Sequence, residues 1–358
     1  MSKPIETFKP IETSKPVEAS RSTVKTLLPA TLIAMALFAG AQPASAQFQD
    51  RNFRVSNGVS KEHPMGNGLA AMGACTLEKS GGKMKIQPFW DGALGNDLTA
   101  TQSVRTGSLD MVLTSTAPLA SIIPSLGVFD LPFLFNDEKE ADQLLDGKVG
   151  AWFSDKLPAV GVINLSWWEN GFRHTTNSRK AITKAEDFQG VKMRVMQNTI
   201  FIDTFKELGS NAVPLAFSEV YSALETKTVD GQENPYNNIE NMKFYEVQKY
   251  LTLTKHAYSP TLVLFSKKTW DGLSPAEQSV LKGCATVGQK EQRKVNRVKS
   301  DESLANLKAN GMQVNEIAPA EMERLREKLK VIYERHAGSI GREALDLVMG
   351  ELKRVRGS

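Results

Sequence analysis

Apolar and polar positions change period repeatedly along this chain. Phe53 and Val55 alternate with Arg54 and Ser56, which predicts a strand over 53–58. Over 66–79, Leu69, Met72, Ala74 and Leu77 recur at helical spacing, and Ser80-Gly81-Gly82 stops that helix. Met84, Ile86 and Pro88 oppose Lys85, Gln87 and Phe89 in a second strand over 84–90. A short helix over 101–105 leads to Gly107, and a strand over 109–114 follows. After a Pro-rich stretch (123–135) and a helix over 138–145, strands are predicted over 160–168 and 191–196. Helices follow over 200–208, ending at Gly209, and over 218–226, with Ser218 as its cap. A strand over 262–266 comes next. Ser274-Pro275-Ala276-Glu277 then has the cap, proline and acid of a helix start, and that helix runs through Lys299 and beyond. Such alternation predicts an α/β protein with a largely parallel, helix-covered sheet. No Gly/Ser- or Pro-rich spacer divides it, so two α/β units joined by more than one crossing segment are expected.

Length supports two units, since 358 residues exceed one ordinary core. The amino terminus changes the charge picture. Residues 27–39 form an apolar run broken only by Pro29 and Thr31, preceded by Arg21 and Lys25 and followed by Ala44-Ser45-Ala46. This pattern predicts a secretory signal cleaved before Gln47, too short for a membrane span. A degenerate repeat in the first twenty residues is expected to be disordered. Setting aside the five cations and three acids before Gln47 leaves 39 cations against 37 acids. A body so near neutrality gives no reason to expect nucleic acid. Cys75 and Cys284 can pair in an oxidising compartment, or each can serve as a small buried hydrophobe; the residues alone leave both open.

Catalytic motifs are scarce. The chain has no H-E-x-x-H, C-x-x-C, G-x-S-x-G or P-loop, and His63, His174, His256 and His336 are scattered without metal-ligand spacing. Gly66-x-Gly68-x-x-Ala71 matches the dinucleotide fingerprint. In that fold the first glycine follows the strand directly, whereas residues 60–65 intervene here. No metal, cofactor or enzymatic activity is expected.

Arg194 lies near the carboxyl end of a predicted strand, on the face opposite Val191, Met193 and Val195. Ligands in such sheets bind beyond the carboxyl ends of strands, and an arginine there can hold a carboxylate through two parallel hydrogen bonds. An ordinary salt bridge fits the same pattern. Arg173 has the same two readings. Asn234, in the polar turn Asp230-Gly231-Gln232-Glu233-Asn234-Pro235, offers a donor and an acceptor. Trp167 and Trp168 suit core positions, with Trp168 also a candidate for the ligand pocket.

Longer motifs carry a resemblance. Asn170-Gly171-Phe172-Arg173-His174-Thr175-Thr176-Asn177, residues 190–195, Ala216-Phe217-Ser218-Glu219-Val220-Tyr221-Ser222-Ala223-Leu224, residues 229–235 and residues 243–250 occur in one order. With Ser80-Gly81-Gly82, Leu94-Gly95 and Gly107-Ser108-Leu109-Asp110, the chain resembles the DctP family, the solute-binding subunits of tripartite ATP-independent periplasmic (TRAP) transporters. The resemblance implies a two-lobed periplasmic binding protein fold, with two α/β domains around a ligand cleft, hinge strands and a long domain-spanning helix. We expect residues 47–171 plus 260–299 in domain I, and residues 172–259 plus 300–358 in domain II with the carboxy-terminal helices.

By that resemblance, Arg194 forms the principal salt bridge to a substrate carboxylate. Arg173 assists, Asn234 hydrogen-bonds the same group and Phe217 packs on the ligand. Asp97 matches a cleft position, as do Asn57, Gly58 and His63 more loosely, with Gln197 a further candidate. Family members that bind sialic acid carry an acid where this chain has Ser115, which argues against that ligand. The expected cargo is a small organic acid, either a C4-dicarboxylate or a sugar acid, and the expected partners are the small and large TRAP membrane subunits. Aromatic, keto or hydroxy monocarboxylates, or service to an ABC-type importer, are the alternatives. A periplasmic monomer is expected.

Overall fold

The computed structural model describes residues 48–357. The predicted signal segment and its repeat lie outside the described residues. Nine strands form one sheet: β1 (Arg51–Asn57), β2 (Met84–Phe89), β3 (Met111–Ser115), β4 (Val162–Asn177), β5 (Lys192–Val195), β6 (Asn211–Pro214), β7 (Gly231–Asn234), β8 (Tyr250–Ser266) and β9 (Gln313–Asn315). Their order is β2-β1-β3-β8-β4-β7-β5-β6, with β9 paired to β8.

The sheet is parallel at its two ends and antiparallel at its centre, which corrects the largely parallel sheet read from the alternation. β1 pairs in parallel with β2 and β3, and β5 with β6 and β7, each connection running through a helix. β4 and β8 run antiparallel through both halves. The carboxyl half of β8 pairs with β3 through residues 261–265, while its amino end pairs with β9 through residues 250–252. β7 meets only the last turn of β4, His174 to Asn177. Two crossing strands therefore tie two α/β halves into the two-lobed fold.

Predicted strands over 160–168 and 262–266 each covered only part of a 16- or 17-residue strand. The unread end of the first is polar, yet Arg173, His174, Thr175, Thr176 and Asn177 are all buried. Ser218 caps nothing. Residues Phe217–Glu219 form a 3-10 turn instead, and the helix Val220–Glu225 continues it.

The helix Pro275–Ala309 starts on the predicted box, with Ser274 and Glu277 each bonding the other's backbone. It spans both halves. Its first turns pack into one cluster with Leu281, Cys284 and Ala285, and Leu307 joins a second around Val220, Ile239 and Leu251. The β4–β8 register shifts between Asn164 and Trp167 and again between Glu169 and Gly171, which disrupts the ladder around Trp167 and Glu169. The helix supplies replacements. Gln292 accepts from Glu169 N–H (3.0 Å) and donates to Glu169 O (2.7 Å), and Arg293 donates to Trp167 O (2.8 Å).

Cys75 and Cys284 are joined in a disulfide between the Pro64–Lys79 and Pro275–Ala309 helices. Glycines bring those helices together. A Cβ at Gly68 would lie 2.5 Å from the Trp168 ring, and one at Gly288 2.7 Å from it. At Gly66, a Cβ would lie 1.9 Å from Lys61 O. The apparent dinucleotide fingerprint is thus helix packing. The last helix, Arg342–Arg356, buries Ala344, Val348 and Leu352 and packs on helices Glu138–Leu145 and Lys148–Lys156. Its Arg356 pairs with Glu140, so this helix touches segments expected in domain I as well as domain II. No helix of the described residues is long and apolar enough to cross a membrane.

Candidate functional site

The parallel strands of both halves end facing one another, and their carboxyl ends line a cavity of ≈ 60 Å³ that opens to solvent. That placement suits a small ligand. β1, β3, β5, β6 and β7 each run out at its wall and lead into a turn or helix start.

Arg194 is the penultimate residue of β5, and its side chain is buried. Its Nε (3.1 Å) and Nη2 (2.7 Å) both donate to Leu215 O, while Nη1 is buried without a partner. Burial lowers its pKa to about 10; Glu233 opposes that fall and the nearby charge of Arg173 adds to it. A guanidinium with one unmet edge at a cavity wall is suited to an anion.

Arg173, on β4, is fully buried and occupied differently. Glu233 takes its Nε, and both the Glu233 carboxylate (2.9 Å) and Glu233 O (2.5 Å) accept from Nη2. Nη2 also reaches Asn234 Oδ1 at 3.2 Å, and Nη1 donates to Ser259 Oγ at 3.3 Å. Burial pushes the Glu233 carboxyl up, but the charge of Arg173 and bonds from His256 and Arg173 outweigh it and leave Glu233 at about 2. The His256 ring stands 3.2 Å from Glu233 and 2.8 Å from Thr254 Oγ1. Arg173 therefore faces the cavity as a guanidinium largely neutralised from behind.

On the same wall, Asn234 donates to Gln232 Oε1 (2.5 Å), and Gln197 and Phe217 line the space. Phe217 packs against core clusters of both halves. From the other half come Asn57, His63, Asp97, Thr114 and Ser115. Asp97 opens the helix Asp97–Thr106 behind its cap Asn96. Burial raises its carboxyl pKa, opposed by the Thr114 hydroxyl and the charge of Arg194. Asn57 Nδ2 is buried and unpartnered.

Seven of the eight sequence candidates thus meet at one cavity: Arg194, Arg173, Asn234, Phe217, Gln197, Asp97 and His63. Trp168 is the correction. Its indole turns away from the cavity into the seat left by Gly68 and Gly288, where Nε1 donates to Ala285 O at 3.3 Å. Both faces of β4 are covered at this point, so alternation did not tell which side is the cleft. Glu233 was missed although its motif was read; an acid inside a four-residue strand beside an arginine-bearing strand was the available signal. Asn170, whose Nδ2 stands 3.4 Å from Ser115 Oγ, and Thr261 also line the cavity and were not singled out. Among the described residues, no cluster of His, Cys, Asp and Glu is arranged to hold a metal ion.

The sequence pattern of the bacterial extracellular solute-binding proteins, family 7 (DctP), matches residues 55–339, nearly the whole of the described sheet. This chain belongs to the DctP family. Among relatives, it is 40% identical over 237 residues to the 2,3-diketo-L-gulonate-binding periplasmic protein YiaO of Escherichia coli, covering 66% of this chain and 72% of that one. It is 28% identical over 332 residues to the C4-dicarboxylate-binding periplasmic protein DctP of Rhodobacter capsulatus, covering 92% and 97%. Among solved structures, it is similar to the sugar acid binding protein DctPAm of Advenella mimigardefordensis in complex with galactonate. That match has a TM-score of 0.84 and 46% identity over 86% of this chain and 99% of the other. A TRAP periplasmic solute binding protein of Sulfurospirillum deleyianum with bound succinate matches at a TM-score of 0.80 and 29% identity, covering 84% and 99%. Like these DctP proteins, the chain is a solute-binding transport protein and not an enzyme.

Proposed function

We propose that this DctP protein captures a sugar-acid monocarboxylate in the periplasm and delivers it to TRAP membrane subunits. The observation that carries the reading is the buried, unpartnered Nη1 of Arg194. A carboxylate withdrawn from water must be paired and hydrogen-bonded. Arg194 supplies the charge, with Asn234 and Arg173 beside it. Helix Thr199–Glu207 begins close to the cavity wall, and its amino end favours an anion.

The far wall favours a sugar acid over a dicarboxylate. Among the described lining residues, the two arginines share one wall and Arg173 is already engaged by Glu233. Opposite them stand Asp97, Asn57, Ser115 and Asn170, which suit hydroxyl groups; a second carboxylate would meet Asp97. Galactonate bound to the similar Advenella protein is of this class.

Closure follows from the crossing strands. We assign residues 47–171 with 260–299 to one lobe and 172–259 with 300–358 to the other, the last helix spanning both. The register shift at Gly171, where it pairs with Ser259, supports a hinge there. We further propose export by a signal cleaved before Gln47 and action as a monomer, with one small and one large membrane subunit as receivers.

Calorimetric titration tests the reading. D-galactonate is expected to bind one to one and succinate not to bind. Arg194→Ala is expected to weaken galactonate by about 2–5 kcal/mol. Unchanged affinity in that variant, or tight succinate binding with no sugar acid bound, would refute it.

A further inference from the structure

At the rim of the cavity and just outside it, the two halves are joined by a second set of contacts. Residues 58–63 follow β1 in the first half, and the helix Tyr236–Asn241 follows β7 in the second. Asn241 Nδ2 donates to Ser60 Oγ (2.8 Å), and Ser60 N–H reaches Asn241 Oδ1 (3.4 Å). One step deeper, the His63 ring bonds Asn238 Oδ1 through Nε2 (3.0 Å). His63 Nδ1 accepts from Met65 N–H and caps the helix Pro64–Lys79. With Nδ1 an acceptor, the ring proton sits on Nε2 and faces Asn238.

We propose that Ser60, His63, Asn238 and Asn241 form an interlobe latch that sets how long a bound ligand is held. The inference rests on the two-lobed closing cleft proposed above. Ser60 and Asn241 are not among the residues lining the cavity, so their bonds act on closure alone. A contact made only in the closed state shifts the open–closed equilibrium without touching ligand.

Both sides of the latch are held in advance. Ser60 Oγ donates to Glu62 Oε2 (2.8 Å). The helix Tyr236–Asn241 is moored to the long helix: Asn237 Nδ2 donates to Asn296 Oδ1 (2.8 Å), Ser303 Oγ to Asn237 Oδ1 (2.8 Å) and Asn306 Nδ2 to Glu240 Oε1 (2.7 Å). Little ordering is left to occur on closure, which is how preorganised contacts gain strength. Asn238 Nδ2 also stands 3.4 Å from Asn234 Oδ1, which accepts from Arg173. The latch thereby connects to the anion wall through two asparagines.

Stopped-flow displacement of bound D-galactonate, in wild type and in Ser60→Ala, Asn241→Ala and the double variant, tests this. Each single variant is expected to release galactonate about five- to tenfold faster, with association within about twofold of wild type. The double variant is expected to match Asn241→Ala, which already removes both bonds, whereas Ser60→Ala leaves the bond from Ser60 N–H to Asn241 Oδ1. Unchanged release rates overturn the latch. If wild type binds no galactonate, the sugar-acid reading fails separately, and the latch is read without ligand. Spin labels at Lys85→Cys and Glu225→Cys, both exposed, report the distance between halves; Cys75 and Cys284 are already paired and do not compete. Asn241→Ala must then lengthen the distribution, and identical distributions overturn the proposal.

Discussion

Arg194 places two guanidinium nitrogens on one carbonyl, that of Leu215, and keeps Nη1 buried and unpartnered at the cavity. Two donors on a single acceptor fix the plane of the guanidinium before any ligand arrives. β5 and β6 pair in parallel, with Arg194 opposite Val213, so the chain beyond β6 brings the Leu215 carbonyl within reach. The orientation of the anion-binding edge is thus set by strand pairing.

Arg194→Lys tests the fork apart from the charge. Lysine keeps the cation but loses both the bond pair to Leu215 and the second donor to ligand. Galactonate affinity is expected to fall by at least tenfold, about 1.4 kcal/mol, with the melting temperature within a few degrees of wild type. Calorimetry beside a thermal melt separates the two; wild-type affinity would show that charge alone suffices.

The disulfide between Cys75 and Cys284 closes a loop of 209 residues between the Pro64–Lys79 helix and the first turns of the long helix that spans both halves. Replacing both cysteines by alanine is expected to lower unfolding free energy by about 2–5 kcal/mol, measured by urea titration. Because the bond lies on the packed side of the Pro64–Lys79 helix, galactonate affinity at 25 °C is expected to stay within about threefold. A large loss of affinity with unchanged stability would contradict this division.

Acid is expected to destabilise the protein through histidine. Burial lowers the pKa of His63 to about 4, and burial also depresses His174 and His256. The unfolded chain therefore takes up protons first. The histidine contribution to stability is intact above the ordinary value of 6.5 and is lost as pH falls, for His63 down to about 4. Asp97 and Asp130, raised by burial, act in the opposite sense. For His63 alone the loss by pH 4.5 is about 2–3 kcal/mol. Urea midpoints measured from pH 7.5 to 4.5 should fall, and less steeply in His63→Gln. A flat profile in wild type would show that the acidic groups cancel the histidines.

Local signals in the residues carried the outer parts of the fold. The capping box at Ser274 and Glu277, the left-handed stops at Gly107 and Gly209, and the alternation around Phe53 and Val55 act within one turn or one strand. Such signals need no knowledge of the rest of the chain. Arg194 was legible for the same reason: its place near the end of a short strand follows from pattern, and the strand end decides where a ligand can lie.

Tertiary structure alone decided the centre. The run from Arg173 to Asn177 is polar and lies beyond the strand predicted over 160–168, yet it is buried strand because β7 and β8 flank it and helices cover it. Burial of polar side chains is satisfied there by partners far along the chain, such as Glu233 for Arg173 and Gln248 for Thr176. Trp168 went to the core because two distant glycines, Gly68 and Gly288, made room for it. Cys75 found Cys284 across 209 residues through that same helix contact. A hydrogen bond or a packing seat depends on which segments meet in space, and periodicity along the chain carries no record of that.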